Sequence, residues 1–184
     1  GKSTLAASLA AHAGPPPGAR VLSSDRMRKK LHGVAPTTRL PPDAYRPEIS
    51  ARVYAMLRAE ARRTLAAGGS CVIEAVNDRR EDRDAASEIA RHAGVRFSGL
   101  WLDAPPAAAE ARIEARRDDP SDATVAVLRA QAAIAPDAIE WPRIDASGGV
   151  ERTLHSAMDT LGGTIARPSS LTDVNAAAVG TGVD

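Results

Sequence analysis

Apolar residues fall into short continuous runs and helical stripes that alternate along the chain, which predicts an α/β fold. Residues 1–13 set Leu5 and Leu9 among alanines at helical spacing, and Gly14-Pro15-Pro16-Pro17-Gly18 ends that helix. Residues 20–24 read as a short strand ending in serines. Asp25 to His32 then gives one or two helical turns closed by Gly33. Prolines between Val34 and Pro47 mark a loop. Val53, Leu57, Ala61 and Leu65 recur at every fourth position, so a long helix from about Pro47 to Ala67 lays one face on the core. Gly68 and Gly69 follow as its C-terminal stop.

The run Ser70–Val76 (SCVIEAV) suits a strand buried on both faces of a parallel sheet. A helix capped by Asn77 or Asp78 follows, with Ala86, Ile89, Ala90 and Ala93 inward, and Gly94 closes it. Val95–Leu102 is the third strand, ending at Asp103, and Pro105-Pro106 opens a helix reaching about Arg117. After a break at 118–122, a helix spans about 122–133, with Val125, Leu128 and Ala132 on one face. Arg143–Ala146 is the fourth strand and Val150–Leu161 the last helix. From Gly162 onward bulky residues are scarce, and a disordered tail is expected over 162–184. The strand–helix alternation implies one domain, residues 1–161, with a parallel sheet and helices on both faces.

Composition narrows the function classes. Across 184 residues, 24 Lys and Arg against 23 Asp and Glu leave a net charge of +1. That removes any bulk electrostatic case for nucleic-acid or membrane binding. A single cysteine, Cys71, excludes an internally disulfide-stapled scaffold and reads as a small buried strand residue. No apolar run approaches the roughly 18–20 residues that span a bilayer. The expected setting is soluble and cytoplasmic. With 3% aromatic residues, the core must be built from Ala, Val, Leu and Ile.

The candidate chemistry begins at Gly1-Lys2-Ser3-Thr4, the back half of the phosphate-loop pattern G-x-x-x-x-G-K-[ST]. Lys2 would reach the β- and γ-phosphates, the Ser3 hydroxyl would ligate Mg²⁺, and amides opening the next helix would hold phosphate oxygens. The pattern starts at its second glycine, so the loop front and the strand before it are expected to be missing, with an incomplete cradle and two buried edges in the sheet. Asp25 follows the first strand and so lies on the edge where open parallel sheets carry their ligands. There it can accept the proton of an attacking hydroxyl, and Arg28, one turn on, can hold an anionic group. The alternative is an N-cap aspartate beside a solvated arginine. Glu74 sits in an apolar strand, where an acid either holds Mg²⁺ or pairs with an arginine. Arg112 and Arg116 share a helix face and can close over a triphosphate, or they lie on a solvated face with Glu110 and Glu114. Arg79, Arg80 and Arg83 form a weaker cluster. His12, His32, His92 and His155 show no metal-ligand spacing.

Taken in order, GKST, VLSSDRMRKKL, CVIEAVN, GLWLDAP, DPSDA and WPRIDAS resemble the AAA-type P-loop kinase domain found as the ATP-binding half of bifunctional aminoglycoside phosphotransferase/ATP-binding proteins. Polynucleotide 5′-hydroxyl kinases, zeta toxins and gluconate kinases share the layout more distantly. The resemblance covers about residues 1–161. It implies a three-layer P-loop NTPase sandwich with strand order 2-3-1-4-5, ATP and Mg²⁺ as cofactors, and phosphoryl transfer to a hydroxyl. It places Gly1, Lys2, Ser3 and Thr4 in the phosphate loop, Asp25 and Arg28 at the acceptor, and Arg112 and Arg116 in the lid. It also implies an upstream phosphotransferase-like partner domain. Glu74 stands where the family more often has Asp. Two rivals remain beside the kinase: a non-catalytic ATP-binding regulatory module, and an ATPase without an acceptor. Asp25-x-x-Arg28 favours the kinase, because an ATPase needs no acceptor clamp. Acceptor choice is expected to lie in the loop Val34–Pro47.

Overall fold

All four residues of β2 (Cys71–Glu74) are buried, as an apolar strand covered on both faces must be. The computed structural model, which describes residues 1–115, 120–132, 138–161 and 175–182, builds the sheet outward from it. β1 (Arg20–Ser23) pairs with β2 on one side, and β5 (Asn175–Gly182) pairs with it on the other. β3 (Arg96–Asp103) lies against β5 along its whole length, and β4 (Arg143–Asp145) closes the far edge. The order is β1-β2-β5-β3-β4 and every pairing is parallel.

Side-chain alternation then divides the core into two layers. Cys71, Ile73, Ala176 and Ala178 face Val53, Leu57, Ala61 and Leu65 of α3 (Pro47–Ala66) and Ala86, Ile89 and Ala90 of α4 (Arg80–His92). Val72, Val179, Leu100, Leu102 and Ile144 face Leu5 and Leu9 of α1 (Lys2–Ala10) and Ala157 of α7 (Val150–Thr160). Helices thus cover both faces, as the strand–helix alternation predicts. The short α2 (Ser24–Leu31) continues directly from β1, and Ser23 Oγ caps it by accepting from the Arg26 amide. α5 (Pro106–Glu114) buries none of its residues. A two-pronged Arg129–Glu110 pair, at 2.6 and 2.9 Å, ties it to α6 (Val125–Ala132).

Three expectations need correcting. Residues 175–182 were expected in a disordered tail but form β5. No central strand is missing: β5 fills the middle place in the order 2-3-1-4-5, so neither β2 nor β3 is left with the exposed edge anticipated from the start of the pattern. Its residues are too small to announce a strand, and only packing between β2 and β3 makes them one. The fourth helix begins at Arg80, with Arg79 as N-cap, because Asn77 adopts a left-handed backbone (φ 54°) and turns the chain first. The remaining predicted elements hold to within a few residues. No helix among the described residues is long and apolar enough to cross a membrane.

Candidate functional site

Because all strands run parallel, their C-terminal ends share one edge of the sheet, and the polar residues that close them collect there. A cleft on this edge is lined by Gly1, Lys2, Ser3, Asp25, Glu74, Arg112 and Thr181, with Leu102, Ala104, Ile113 and Leu128 among its apolar walls. Five separate elements therefore bring polar residues to it: the start of α1, the start of α2, the end of β2, α5 and the end of β5. The first turn of α1 contains no acidic residue, and its amides and positive dipole end face the cleft. Lys2 Nζ lies in the same place and donates to Thr181 Oγ1 at 3.2 Å. A helix start beside a lysine is an arrangement that can hold an anion.

Glu74 is 1% exposed, and its Oε2 has no hydrogen-bond partner. A buried carboxyl left unsatisfied is costly unless something outside the chain completes it. The alternative of an arginine partner finds no support among the described residues. Ser3 lines the same cleft and supplies a hydroxyl. One hydroxyl and one carboxyl suit Mg²⁺, which takes few protein oxygens and completes its shell with phosphates and water. Among the described residues, no group of three or more His, Cys, Asp or Glu forms a closed metal cage. The donor set thus fits a phosphate-bound magnesium ion rather than a structural metal.

A model of the AAA domain family matches residues 1–136. The chain belongs to that family. No curated protein matches it. The match carries a P-loop nucleotide-binding, kinase-like domain, and the three-layer sandwich above is that fold. It says nothing of an upstream phosphotransferase half.

Within this AAA domain the structure brings together most of the residues that the sequence singles out, though not all. Gly1, Lys2, Ser3, Asp25, Glu74 and Arg112 share the cleft, whereas Thr4 is exposed on α1 and does not line it. Arg112 Nη2 donates to the carbonyls of Ser147 (3.2 Å) and Gly148 (2.7 Å), which holds the guanidinium at the cleft wall. Arg116 lies outside the described residues. Arg28 is absent from the wall: it is 6% exposed, donates to the Ala44 carbonyl (2.7 Å) and Ser50 Oγ (3.3 Å), and stacks over the Tyr45 ring at 4.6 Å. It supports the 3-10 turn Pro42–Tyr45 from below.

Sequence reasoning missed three features. Thr181 was assigned to the tail. Arg83, placed in a weak surface cluster, is 4% exposed and donates to the carbonyls of Asn77 and Asp78, fixing the turn after β2. Asp122, placed in a helix break, accepts from Lys29, Tyr45 and the Leu40 amide. Burial alone would raise the Asp122 carboxyl, yet the hydrogen bonds from Lys29, Tyr45 and Leu40 outweigh it and hold the group below the usual carboxylate range. Burial, and then the same contact with Asp122, push the Tyr45 hydroxyl well above its ordinary value.

Proposed function

We propose that this domain transfers the γ-phosphoryl group of ATP to a hydroxyl of a small molecule or a polynucleotide end. One observation carries the reading: the α1 start, with Lys2 and Ser3, opens on the same cleft as two carboxyl groups, Asp25 at the start of α2 and Glu74 at the end of β2. A binding module needs the first feature only, and an acceptor reaction needs the second as well.

In this reading Lys2 and the α1 amides hold the β- and γ-phosphate oxygens, and Arg112 screens charge from the opposite wall. Ser3 and Glu74 would hold Mg²⁺, which would supply neutralisation of the phosphate charge. Asp25 orients the acceptor hydroxyl and takes its proton. The acceptor oxygen bonds to the γ-phosphorus, the bond to the bridging oxygen breaks, and ADP leaves with that electron pair. Arg28 acts one step back, by setting the Pro42–Tyr45 turn in the acceptor loop. Arg116 joins the charge screen in the lid. Support for an upstream phosphotransferase-like domain comes from the family resemblance alone, and support for a cytoplasmic setting from the composition and the single cysteine.

The test is acceptor-dependent ADP release by the native chain and by Asp25→Asn. The asparagine variant should bind Mg·ATP with an affinity within about twofold of the native chain and lose transfer by roughly 10²-fold or more. Loss of both would sink the role given to Asp25. ADP release that needs no acceptor would instead make the domain an ATPase.

A further inference from the structure

Asp122 lies in a polar stretch of sequence, yet its side chain is only 10% exposed. Its Oδ2 accepts from Lys29 on α2, from the Tyr45 hydroxyl at 2.5 Å and from the Leu40 amide at 3.1 Å. These donors belong to one bank of the cleft, made of α2, which carries Asp25, and the loop over residues 34–47. Asp122 itself belongs to the other bank. The residue before it, Ser121, lines the cleft, and the helix after it, α6, contributes Leu128. We propose that Asp122 is a positioning residue that ties the α5–α6 wall to the acceptor side of the cleft, so that nucleotide held against the wall orders the loop over residues 34–47. This coupling rests on the nucleotide-binding reading above and adds a link between the two halves of that site.

Three observations carry it. The first is that burial does little to hold the wall. α5 buries none of its residues, and none of Val125–Arg129 in α6 is buried. The Arg129–Glu110 pair that joins the two helices lies at the surface. Segments with so little buried apolar surface have low local stability, and polar anchors set their place. Arg112 supplies one anchor, on the carbonyls of Ser147 and Gly148 beyond β4. Asp122 supplies another, and that one reaches across to α2.

The second is the kind of anchor. Lys29 is 1% exposed and also donates to the Thr38 carbonyl at 2.5 Å, so ammonium and carboxylate are both taken out of water and both completed by further hydrogen bonds. A buried pair of this kind is a weak source of net stability, and its best-attested use is to fix one arrangement over others. The third is a short relay on the acceptor side. Lys29 stands one helical turn after Asp25 on α2. Its neighbour Arg28 stacks over the Tyr45 ring at 4.6 Å, while the Tyr45 hydroxyl donates to Asp122. Asp25, the Pro42–Tyr45 turn and Asp122 are thus joined through one polar knot, and Ser121 leads from it into the cleft.

The experiment measures amide hydrogen exchange by NMR for the native chain, Asp122→Asn and Tyr45→Phe, each with and without saturating Mg·ATP. The reporters are the Ala44 and Arg46 amides, which donate to the Pro41 and Asp43 carbonyls and not to Asp122. We expect Mg·ATP to slow them at least about fivefold in the native chain, less than about twofold in Asp122→Asn, and by a value between these in Tyr45→Phe. Tyr45→Phe keeps the ring beneath Arg28 and removes a single hydrogen bond, so it decides the matter if Asp122→Asn does not fold. An Asp122 that only stabilises the fold would speed exchange in the variants without nucleotide and leave the slowing by Mg·ATP at its native factor, which overturns the proposal. So does a native chain that binds Mg·ATP and leaves the two amides unchanged. Calorimetry on the same samples keeps the two readings apart: no Mg·ATP binding by the native chain removes the nucleotide reading, and this coupling with it.

Discussion

Lys29 and Asp122 form an ion pair in which the two side chains are 1% and 10% exposed, joining α2 to the segment that precedes α6. The same carboxylate oxygen accepts from the Tyr45 hydroxyl and from the Leu40 amide at 3.1 Å, and Lys29 also donates to the Thr38 carbonyl. One acid thus gathers three stretches of chain: α2, the loop over residues 34–47 and the approach to the α5–α6 pair.

Breaking that pair from the lysine side should be expensive. Lys29→Met leaves a nearly buried carboxylate without its ion partner, and such changes cost about 3–5 kcal/mol. Adding Asp122→Asn removes the stranded acid, so the double variant should recover part of the loss. Urea unfolding of the native, single and double variants measures this. A double variant less stable than the sum of its singles would show that the carboxylate is held by the loop rather than by Lys29.

The depressed Asp122 pKa sets the direction of an acid effect. A carboxyl held below its unfolded value contributes stability that is full above the ordinary carboxylate pKa, near about 4, and lost as pH falls through the folded value. The stability gap between the native chain and Asp122→Asn should therefore be constant from about pH 7 to 5 and narrow below about pH 4. Unfolding midpoints over that range decide it. A gap that widens in acid would reverse the assigned sign.

How far the sequence announces the fold depends on how local each cause is. α3 is legible because Val53, Leu57, Ala61 and Leu65 repeat at helical spacing and all four are buried. β2 is legible as an apolar run between glycine and a turn. β5 is not, because Ala176-Ala177-Ala178 has the small-residue composition of a tail and becomes a strand only between β2 and β3. The residues of the cleft are legible where a motif names them, as at Lys2 and Ser3, or where chemistry is out of place, as at Glu74. Arg28 reads in the sequence as an acceptor clamp and Arg83 as a surface arginine, because burial of a guanidinium depends on carbonyls supplied by distant segments.

Glu74→Gln separates the cost of the cleft from its use. The glutamine keeps the shape and removes the acidic group whose Oε2 finds no partner in the folded chain. Unfolding in the absence of nucleotide should therefore show a gain of about 1 kcal/mol. Magnesium should then strengthen ATP binding less than it does in the native chain. A variant that loses stability and keeps its full magnesium dependence would mean that Glu74 is structural.

Arg28→Lys tests whether the acceptor loop is positioned from beneath. The native guanidinium satisfies the Ala44 carbonyl, reaches Ser50 Oγ and covers the Tyr45 ring, a set of contacts that needs a planar fork. Lysine offers one point charge and cannot make all three. The cost in stability should be about 1–3 kcal/mol, since a buried carbonyl loses its donor. Because Arg28 does not line the cleft, Mg·ATP affinity should stay within about twofold while the KM for the acceptor rises roughly tenfold, with kcat changed less. Calorimetry with Mg·ATP and steady-state kinetics with the acceptor separate the two effects. A drop in nucleotide affinity as large as the rise in acceptor KM would place Arg28 on the phosphates and refute its role beneath the loop.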